Sequence, residues 1–224
     1  MSSVEAPPTP WIGRAVPRFE DARFVKGEAR FVDDLRMPGL LHAAFVRSPY
    51  AHARVVGVDA AAARELAGVR LVLAGADIAD RVGAFPINPA DDAEIRKIMH
   101  PVLAVERVRY VGQQVAVVVA ETAAQAVDAA EYVMADYEEL PPLLEPGRNE
   151  PQLHEDAPDN VLLRWRCANG DVDGAFAAAD VVVRERVRAP RLIASPLEPR
   201  GAIADYDTAE DLLTLWISAQ DQHR

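Results

Sequence analysis

The chain has 224 residues, of which 50% are hydrophobic and 26% are charged, and its formal net charge is -11. The hydrophobic fraction is sufficient for a globular core, whereas the acidic balance argues against a nucleic-acid-binding protein, because phosphate contacts need a basic surface. The single cysteine, Cys167, excludes an intrachain disulfide and a cysteine-ligated zinc or iron–sulfur site within these residues.

Neither the N-terminus nor the hydropathy predicts a membrane or secreted protein. The longest apolar run, Val115–Ala120, is far shorter than the roughly 18 residues that a membrane-spanning helix needs. Residues 1–12 are rich in proline and polar residues and lack the basic and apolar stretches of a secretory signal. We therefore expect a mobile N-terminal tail on a cytoplasmic protein that does not associate with membranes.

The first half of the chain alternates between strand and helix patterns. Apolar stretches predict strands at 40–48 and 54–59, and Asp59 is a suitable N-cap for an alanine-rich helix at Ala60–Leu66. A further strand is predicted at Val69–Ala74. Such alternation is typical of a layered α/β or α+β domain.

Residues 82–101 interrupt this alternation with three prolines and a charged patch. A long irregular segment inside a compact domain predicts an exposed loop with a functional or interface role. Strands are predicted to resume at Val102–Val105 and Arg107–Val111. The following Gly112–Gln113 pair is predicted to form a β-bulge or a close backbone approach.

A strand and a capped helix follow directly. Residues Gln114–Glu121 are apolar and β-branched, which predicts a strand buried on both faces. Thr122 and Gln125 fit a capping box, in which the threonine hydroxyl accepts from a backbone amide and the glutamine side chain reaches back to the N–H of the cap. The helix is predicted to bury an apolar stripe that consists of Ala123, Ala126, Val127, Ala130, Val133 and Met134.

The proline-rich stretch after residue 141 predicts a boundary between two parts of the chain. We expect a linker at 147–160, between a first domain at 13–146 and a second part at 161–224. The second part has too few residues for an independent domain with so many strands, so we infer a sheet that further chain or a partner completes. Its predicted elements are a strand at Val161–Arg166, a helix that Asp171 or Asp173 caps and that ends at Ala179, and strands at Asp180–Val187, Arg200–Tyr206 and Leu212–Ser218.

Motifs for metal binding or nucleophilic catalysis are lacking in the sequence. No serine lies in a G-x-S-x-G motif, and no glycine-rich phosphate-binding loop occurs. The spacing of the histidines matches neither H-x-x-x-H nor H-E-x-x-H. We therefore predict no catalytic residue and no metal ligand; the histidines are His42, His52, His100, His154 and His223.

Four segments, in the same order, carry a resemblance to a known family. They are GRAVPRFEDARFVKGEARFVDDLRMPGLLHAAFVRSPYAHARV at 13–55, VLAVERVRYVGQQVAVVVAE at 102–121, SPLEPRGAIADYD at 195–207 and LTLWISAQ at 213–220. Together they resemble the large, molybdenum-binding subunit of the xanthine dehydrogenase and aldehyde oxidase family, most of all the branch with aerobic carbon monoxide dehydrogenase. The resemblance implies an α+β fold. An α/β hammerhead domain at 13–146 would be followed by the incomplete first part of a molybdenum-cofactor-binding α+β domain at 161–224.

The resemblance also implies site residues. Gln220, in the Ser-x-Gln motif, would place its side-chain amide near an oxo ligand of molybdenum, and Glu198 would lie on the substrate side of the site. Their sequence context alone allows other interpretations: Gln220 as a polar residue after a strand, and Glu198 as an ion-pair partner of Arg191 or Arg200. The family's general-base glutamate and glycine-rich cofactor loop are expected beyond residue 224, so no catalytic residue is assigned within the chain.

Cofactors and partners are implied by the same resemblance. Relatives oxidise aldehydes, purines and other N-heterocycles or carbon monoxide with oxygen from water, and electrons pass from molybdopterin to iron–sulfur centres and FAD. We expect molybdopterin, in the cytosine dinucleotide form, in the complete enzyme and no cofactor in the isolated, inactive chain. The expected partners are the remainder of the large subunit, an iron–sulfur small subunit and an FAD medium subunit.

Two alternatives remain open. In one, the chain is a non-catalytic α/β module for assembly or binding that truncation of a larger gene has left. In the other, a following polypeptide supplies the remainder of a split large subunit.

Overall fold

The computed structural model describes residues 12–83, 85, 94–96, 98 and 100–219, with the backbone alone for residues 94 and 95. The chain divides into two compact units. The larger unit is Pro38–Glu185, and the smaller unit combines the described parts of Met1–Met37 and Arg186–Arg224. No helix among the described residues is long and apolar enough to cross a membrane.

The chain mixes short helices with mostly antiparallel strands. The helices are α1 (Asp21–Val25), α2 (Ala61–Arg64), α3 (Gly75–Ile78), α4 (Ala123–Ala130) and α5 (Val172–Ala178). The strands are β1 (His42–Arg47), β2 (Ala53–Asp59), β3 (Val69–Ala74), β4 (Glu94–Ile95), β5 (Arg107–Val108), β6 (Gln114–Ala120), β7 (Met134–Glu139), β8 (Leu163–Arg164), β9 (Ala202–Asp207) and β10 (Leu212–Ile217).

The first sheet of the larger unit has the order β1-β6-β3, with β6 antiparallel to both neighbours. On one face, Ala116 and Val118 of β6 enter a core to which α2 and α4 contribute Ala63 and Ala129. On the other face, Val115 is buried in a second core, whereas Val117 and Val119 are only partly buried. The prediction of a strand buried on both faces is therefore correct for the face with Ala116 and Val118. On the other face it is correct only at Val115, where the strand begins.

Helix α4 begins at the predicted cap and ends earlier than predicted. The Thr122 hydroxyl accepts from the Gln125 backbone N–H at 3.2 Å. The Gln125 side chain, however, accepts from the Thr122 hydroxyl and donates to the Ala67 carbonyl, so it does not reach back to the cap N–H. This second bond ties the helix start to the turn before β3.

The predicted apolar stripe of this helix is wrong in part. Ala126 and Ala129 are the buried residues of α4, whereas Val127 is 56% exposed. Met134 is outside the helix, because it pairs with Asp59 at the start of β7. The chain turns at Glu131 so that β7 can join β2, and this pairing ends the helix.

The second sheet has the order β5-β2-β7 and packs on the second core. Asp59 at the end of β2 accepts from the Ala61 N–H at 2.9 Å, which satisfies one amide at the start of α2, but the N-cap is Ala60 and not the predicted Asp59. The predicted strand at Val102–Val105 is wrong: the segment forms no strand, and its Leu103 and Ala104 are buried. A Cβ on Gly75 would lie 2.2 Å from the Ala104 carbonyl oxygen, so glycine permits this close packing.

The smaller unit contains α1, a 3₁₀ turn at Val32–Asp34 and the β9–β10 hairpin. The hairpin matches the two strands predicted there, and Asp207 closes its turn by accepting from Ala209 N–H at 2.8 Å. The strand predicted at Asp180–Val187 is not formed, because these residues pair with no strand among the described residues. Its valines Val181, Val182, Val183 and Val187 are exposed.

Candidate functional site

Three segments of the smaller unit meet around Glu198. The Val32 N–H donates to Glu198 Oε1 at 3.2 Å, and Glu198 is half-buried. The Ser218 hydroxyl donates to the Pro199 carbonyl at 3.2 Å, and the Ser218 N–H donates to the Gly201 carbonyl at 3.0 Å. We call this group, Val32, Glu198–Gly201 and Ser218, the Glu198 junction.

The local structure explains why Val32 contacts Glu198. Val32 starts a 3₁₀ turn, whose first N–H groups have no partner within the turn. The Asp34 carboxylate accepts a hydrogen bond from the neighbouring Phe31 N–H at 2.9 Å. The Val32 N–H is therefore available to donate to Glu198. A carboxylate accepts such a bond more strongly than a neutral oxygen.

Glycine at position 201 allows the segments to approach one another. A Cβ at this position would lie 3.3 Å from both Cβ and Cγ1 of Val32. This contact is tight, so Val32 would have to shift to make room for a larger residue. Pro199 stiffens the backbone between Glu198 and Gly201 because its ring restricts φ. The Glu198 junction therefore holds a stiff acidic segment beside the end of β10.

The predicted site residues have different outcomes. Glu198 makes a hydrogen bond to Val32 in place of the suggested ion pairs: within the described part of the chain, neither Arg191 nor Arg200 forms a salt bridge with it. Gln220 lies outside the described residues, two positions after Ser218. The contact of Val32 was not predicted, because no side-chain motif marks a backbone N–H at a turn.

The groups of the Glu198 junction are already paired with one another. An electron-rich oxo group needs N–H or O–H donors, and the Ser218 hydroxyl donates to a carbonyl. The hydrogen bonds of the Glu198 junction therefore hold its own segments together, and the Ser218 hydroxyl proton is already used. Within the ranges that the structure describes, no three His, Cys, Asp or Glu side chains are grouped as metal ligands.

Gly112–Gln113, in the larger unit, forms a turn. Gly112 has φ +87 and nothing within 4 Å of an added Cβ, so its positive φ explains the glycine and close approach does not. Gln113 is buried, and its side-chain oxygen accepts from the Arg109 N–H at 2.7 Å. A register irregularity does occur nearby, in β1 between Val46 and Arg47.

Two family models match the chain. The a/b hammerhead domain of aldehyde oxidase and xanthine dehydrogenase matches residues 26–141, and the molybdopterin cofactor-binding domain matches residues 153–224. The prediction of a hammerhead domain followed by the start of a molybdenum-cofactor-binding domain is thereby confirmed. The Glu198 junction lies largely in the second match.

Several curated relatives are described as large subunits or large chains. The chain is 43% identical over 216 residues to the nicotine 6-hydroxylase large subunit of Paenarthrobacter nicotinovorans, covering 95% of this chain and 26% of that protein. It is 36% identical over 223 residues to the carbon monoxide dehydrogenase large chain of Afipia carboxidovorans, covering 92% and 27%. The chain thus spans about a quarter of the length of these relatives.

Solved structures have the same fold. Quinoline 2-oxidoreductase from Pseudomonas putida 86 superposes with a TM-score of 0.76 at 37% identity, covering 93% of this chain and 27% of that one. The Cu,Mo carbon monoxide dehydrogenase superposes with a TM-score of 0.74 at 35% identity, covering 94% and 28%. The chain belongs to the aldehyde oxidase and xanthine dehydrogenase family.

Proposed function

We propose that this chain supplies the hammerhead domain and the first part of the cofactor-binding domain of a molybdenum hydroxylase large subunit. The observation that carries the proposal is the Glu198 junction, in which a stiff acidic segment is bonded to the end of β10. This arrangement lies within the match to the molybdopterin cofactor-binding domain. In this proposal, domain limits follow the sequence: 13–146, a linker at 147–160, and 161–224.

Gln220 is the residue that we propose faces the cofactor. A side-chain amide can donate to a metal-bound oxo group without adding charge. The two bonds of Ser218, to Pro199 and Gly201, would orient the chain that leads to Gln220. When bound, molybdopterin supplies the redox chemistry that takes up oxygen from water and passes on electrons.

Glu198 is proposed as a positioning residue near the substrate side. Its carboxylate is held by the Val32 N–H, so it fixes the loop and leaves the proton transfer of the reaction to groups elsewhere. We propose no general base within residues 1–224. In line with the relatives, the substrate class would be aldehydes, N-heterocycles including purines, or carbon monoxide.

The exposed apolar surface of the hairpin supports a role inside a larger subunit. Five large apolar side chains of β9 and β10 are 53–57% exposed, and four of them lie on one face, a pattern typical of a sheet face that further structure covers. A two-stranded hairpin is also marginal by itself. These side chains are Tyr206, Leu212, Leu213, Leu215 and Ile217.

The proposed complete enzyme contains further components. We propose that the rest of the large subunit, an iron–sulfur small subunit and an FAD medium subunit assemble with this chain in the cytoplasm. The cofactor would be the cytosine dinucleotide form of molybdopterin. A relative that is described as a subunit of a dehydrogenase complex supports such an assembly.

The test uses the complex purified from the native host. Gln220→Ala is expected to lower turnover by roughly 10- to 100-fold, because a group that tunes the metal is lost. The matched control, Gln222→Ala, should leave turnover unchanged, and molybdenum content should be equal in both. Full activity of the Gln220→Ala complex would contradict the assignment.

A further inference from the structure

The larger unit has a cleft of about 380 Å³, and its lining includes no residue of the Glu198 junction. This volume is within the range of about 300 to 1,000 Å³ that small-molecule sites have. Most of its lining side chains are apolar: Phe85, Ile98, Leu143, Leu153 and Leu162. His100, His154 and Asn160 supply the polar groups.

One wall of the cleft is built around Asn160. Its side-chain NH₂ donates to the carbonyls of Arg148, Asn149 and Pro151, and its side-chain oxygen accepts from the Leu153 N–H at 2.9 Å. Asn160 itself has φ 55, a left-handed conformation that asparagine tolerates better than most residues. These bonds set the shape of this wall without any ligand.

The opposite wall is tied to the first by ion pairs. Asp159 pairs with Arg96, and its other carboxylate oxygen accepts from Arg164 at 2.8 Å. The Arg96 N–H donates to the Leu162 carbonyl at 3.0 Å. The Phe85 N–H donates to the His100 carbonyl at 3.0 Å, which sets two lining rings side by side.

The imidazole of His154 is uncharged at neutral pH. Burial, and then the positive charge of Arg109, lower the pKa of His154 to about 4, so its imidazole is neutral. Within the part of the chain that is described, neither ring nitrogen of His154 has a hydrogen-bond partner. A neutral imidazole offers one donor and one acceptor.

The surroundings of His154 disfavour charged ligands. Arg109 opposes a cation, and its Nε already donates to the Leu153 carbonyl at 2.8 Å. Arg107 adds a second positive charge near Arg109, and Glu155 and Glu106 add two negative charges, so the charges of these four groups nearly balance and an anion gains little. The ring of His100 lies 6.0 Å, between centroids, from the ring of Phe85, so the lining of the cleft includes two adjacent flat rings.

We propose that this cleft binds a small, uncharged aromatic molecule whose polar atom forms a hydrogen bond with the ring of His154. The apolar walls contribute affinity by burying the apolar surface of the ligand. The imidazole favours a ligand with a hydrogen-bond donor or acceptor over a pure hydrocarbon. This binding site is separate from the proposed cofactor function and does not depend on it. It needs neither molybdenum nor a partner subunit.

The test compares indole with indene, which has the same shape but no N–H, by calorimetric titration of the full chain. We expect saturable binding of indole and a preference over indene of about fivefold, the value of roughly one net hydrogen bond. His154→Phe should remove the preference while retaining binding of both probes. Equal affinity of the unmodified chain for the two probes would overturn the role of His154.

A matched pair of variants tests the location. Leu143 lines the cleft, whereas its neighbour Leu144 is 79% exposed. Leu143→Trp should fill the cleft and weaken indole binding by about tenfold or more, and Leu144→Trp should not. Equal loss in both variants, or in neither, would overturn the location.

A second measurement needs no variant. Diethyl pyrocarbonate acylates neutral imidazoles, and mass spectrometry gives the rate at each histidine. Saturating indole should slow acylation of His154 and leave that of His42, on β1, unchanged. Unchanged acylation of His154, or no saturable indole binding at all, would overturn the proposal.

Discussion

At Glu198, one carboxylate joins parts of the chain that are 166 positions apart. The bond to Val32 satisfies an N–H at the start of a turn, and the adjacent Pro199 and Gly201 are fixed by Ser218. Glu198 lies between two prolines, which restrict the backbone of this segment. The acceptor role towards a backbone N–H could not be predicted, because no residue type marks such a donor.

The bond at Glu198 predicts a specific stability effect. Glu198→Ala should lower the free energy of unfolding by about 1 kcal/mol, because the half-buried Val32 N–H loses its acceptor. Glu198→Gln keeps a side-chain oxygen and should lose less. Urea unfolding, measured beside the control Glu210→Ala in the exposed hairpin turn, gives these values; equal loss in Glu198→Ala and Glu210→Ala would contradict the account.

Asp159 predicts an acid-dependent loss of stability. Hydrogen bonding, first from the Arg96 guanidinium, lowers the pKa of this carboxyl from 3.8 to about 2. A lowered pKa in the folded state means that the ionised group stabilises the fold above pH 3.8 and that this contribution is lost as the pH falls through about 2.

Asp159→Asn is the corresponding experiment. The variant should be less stable than the parent at neutral pH, and the difference between them should shrink between about pH 4 and pH 2. Denaturant unfolding over this pH range measures it. Asp80→Asn, on the exposed turn after α3, serves as the control. A difference that is independent of pH would show that the ion pairs with Arg96 and Arg164 are not the cause.

Among the elements, those with strong local signals were predicted best. The strand β6, the cap at Thr122 and the β9–β10 hairpin follow from short-range patterns and turn residues. The end of α4 was misplaced, since the pairing of Met134 with Asp59 is a contact with a distant strand. Val181–Val187 has strong β propensity and still forms no strand, because a strand exists only with a partner.

Hydrogen exchange should separate these elements. Amides of Gln114–Ala120, central in their sheet and bonded on both sides, should exchange close to the rate set by global unfolding. Amides of Val181–Val187, which have no ladder among the described residues, should exchange nearly as fast as in a free peptide. Mass-spectrometric exchange of the full chain tests this, and equal protection of the two segments would contradict it.

For the whole molecule, the order of four family-like segments was enough to identify the family, whereas the cleft in the larger unit became visible only in the structure. Four short segments were enough to predict a hammerhead domain followed by the start of a cofactor-binding domain. The cleft could not be predicted, because its lining residues His100 and His154 are far apart in the sequence. They lie in one cleft because hydrogen bonds of Asp159 and Arg109 connect distant segments, and no local pattern marks such bonds.

The central claim is that this chain forms part of the wall around a molybdenum cofactor. The most direct measurement is elemental and nucleotide analysis of the complex that copurifies with the chain from its native host. We expect about one molybdenum per chain, with cytosine nucleotide released by acid, and no molybdenum on the chain produced alone. A native complex without molybdenum, or stoichiometric molybdenum on the isolated chain, would contradict the claim.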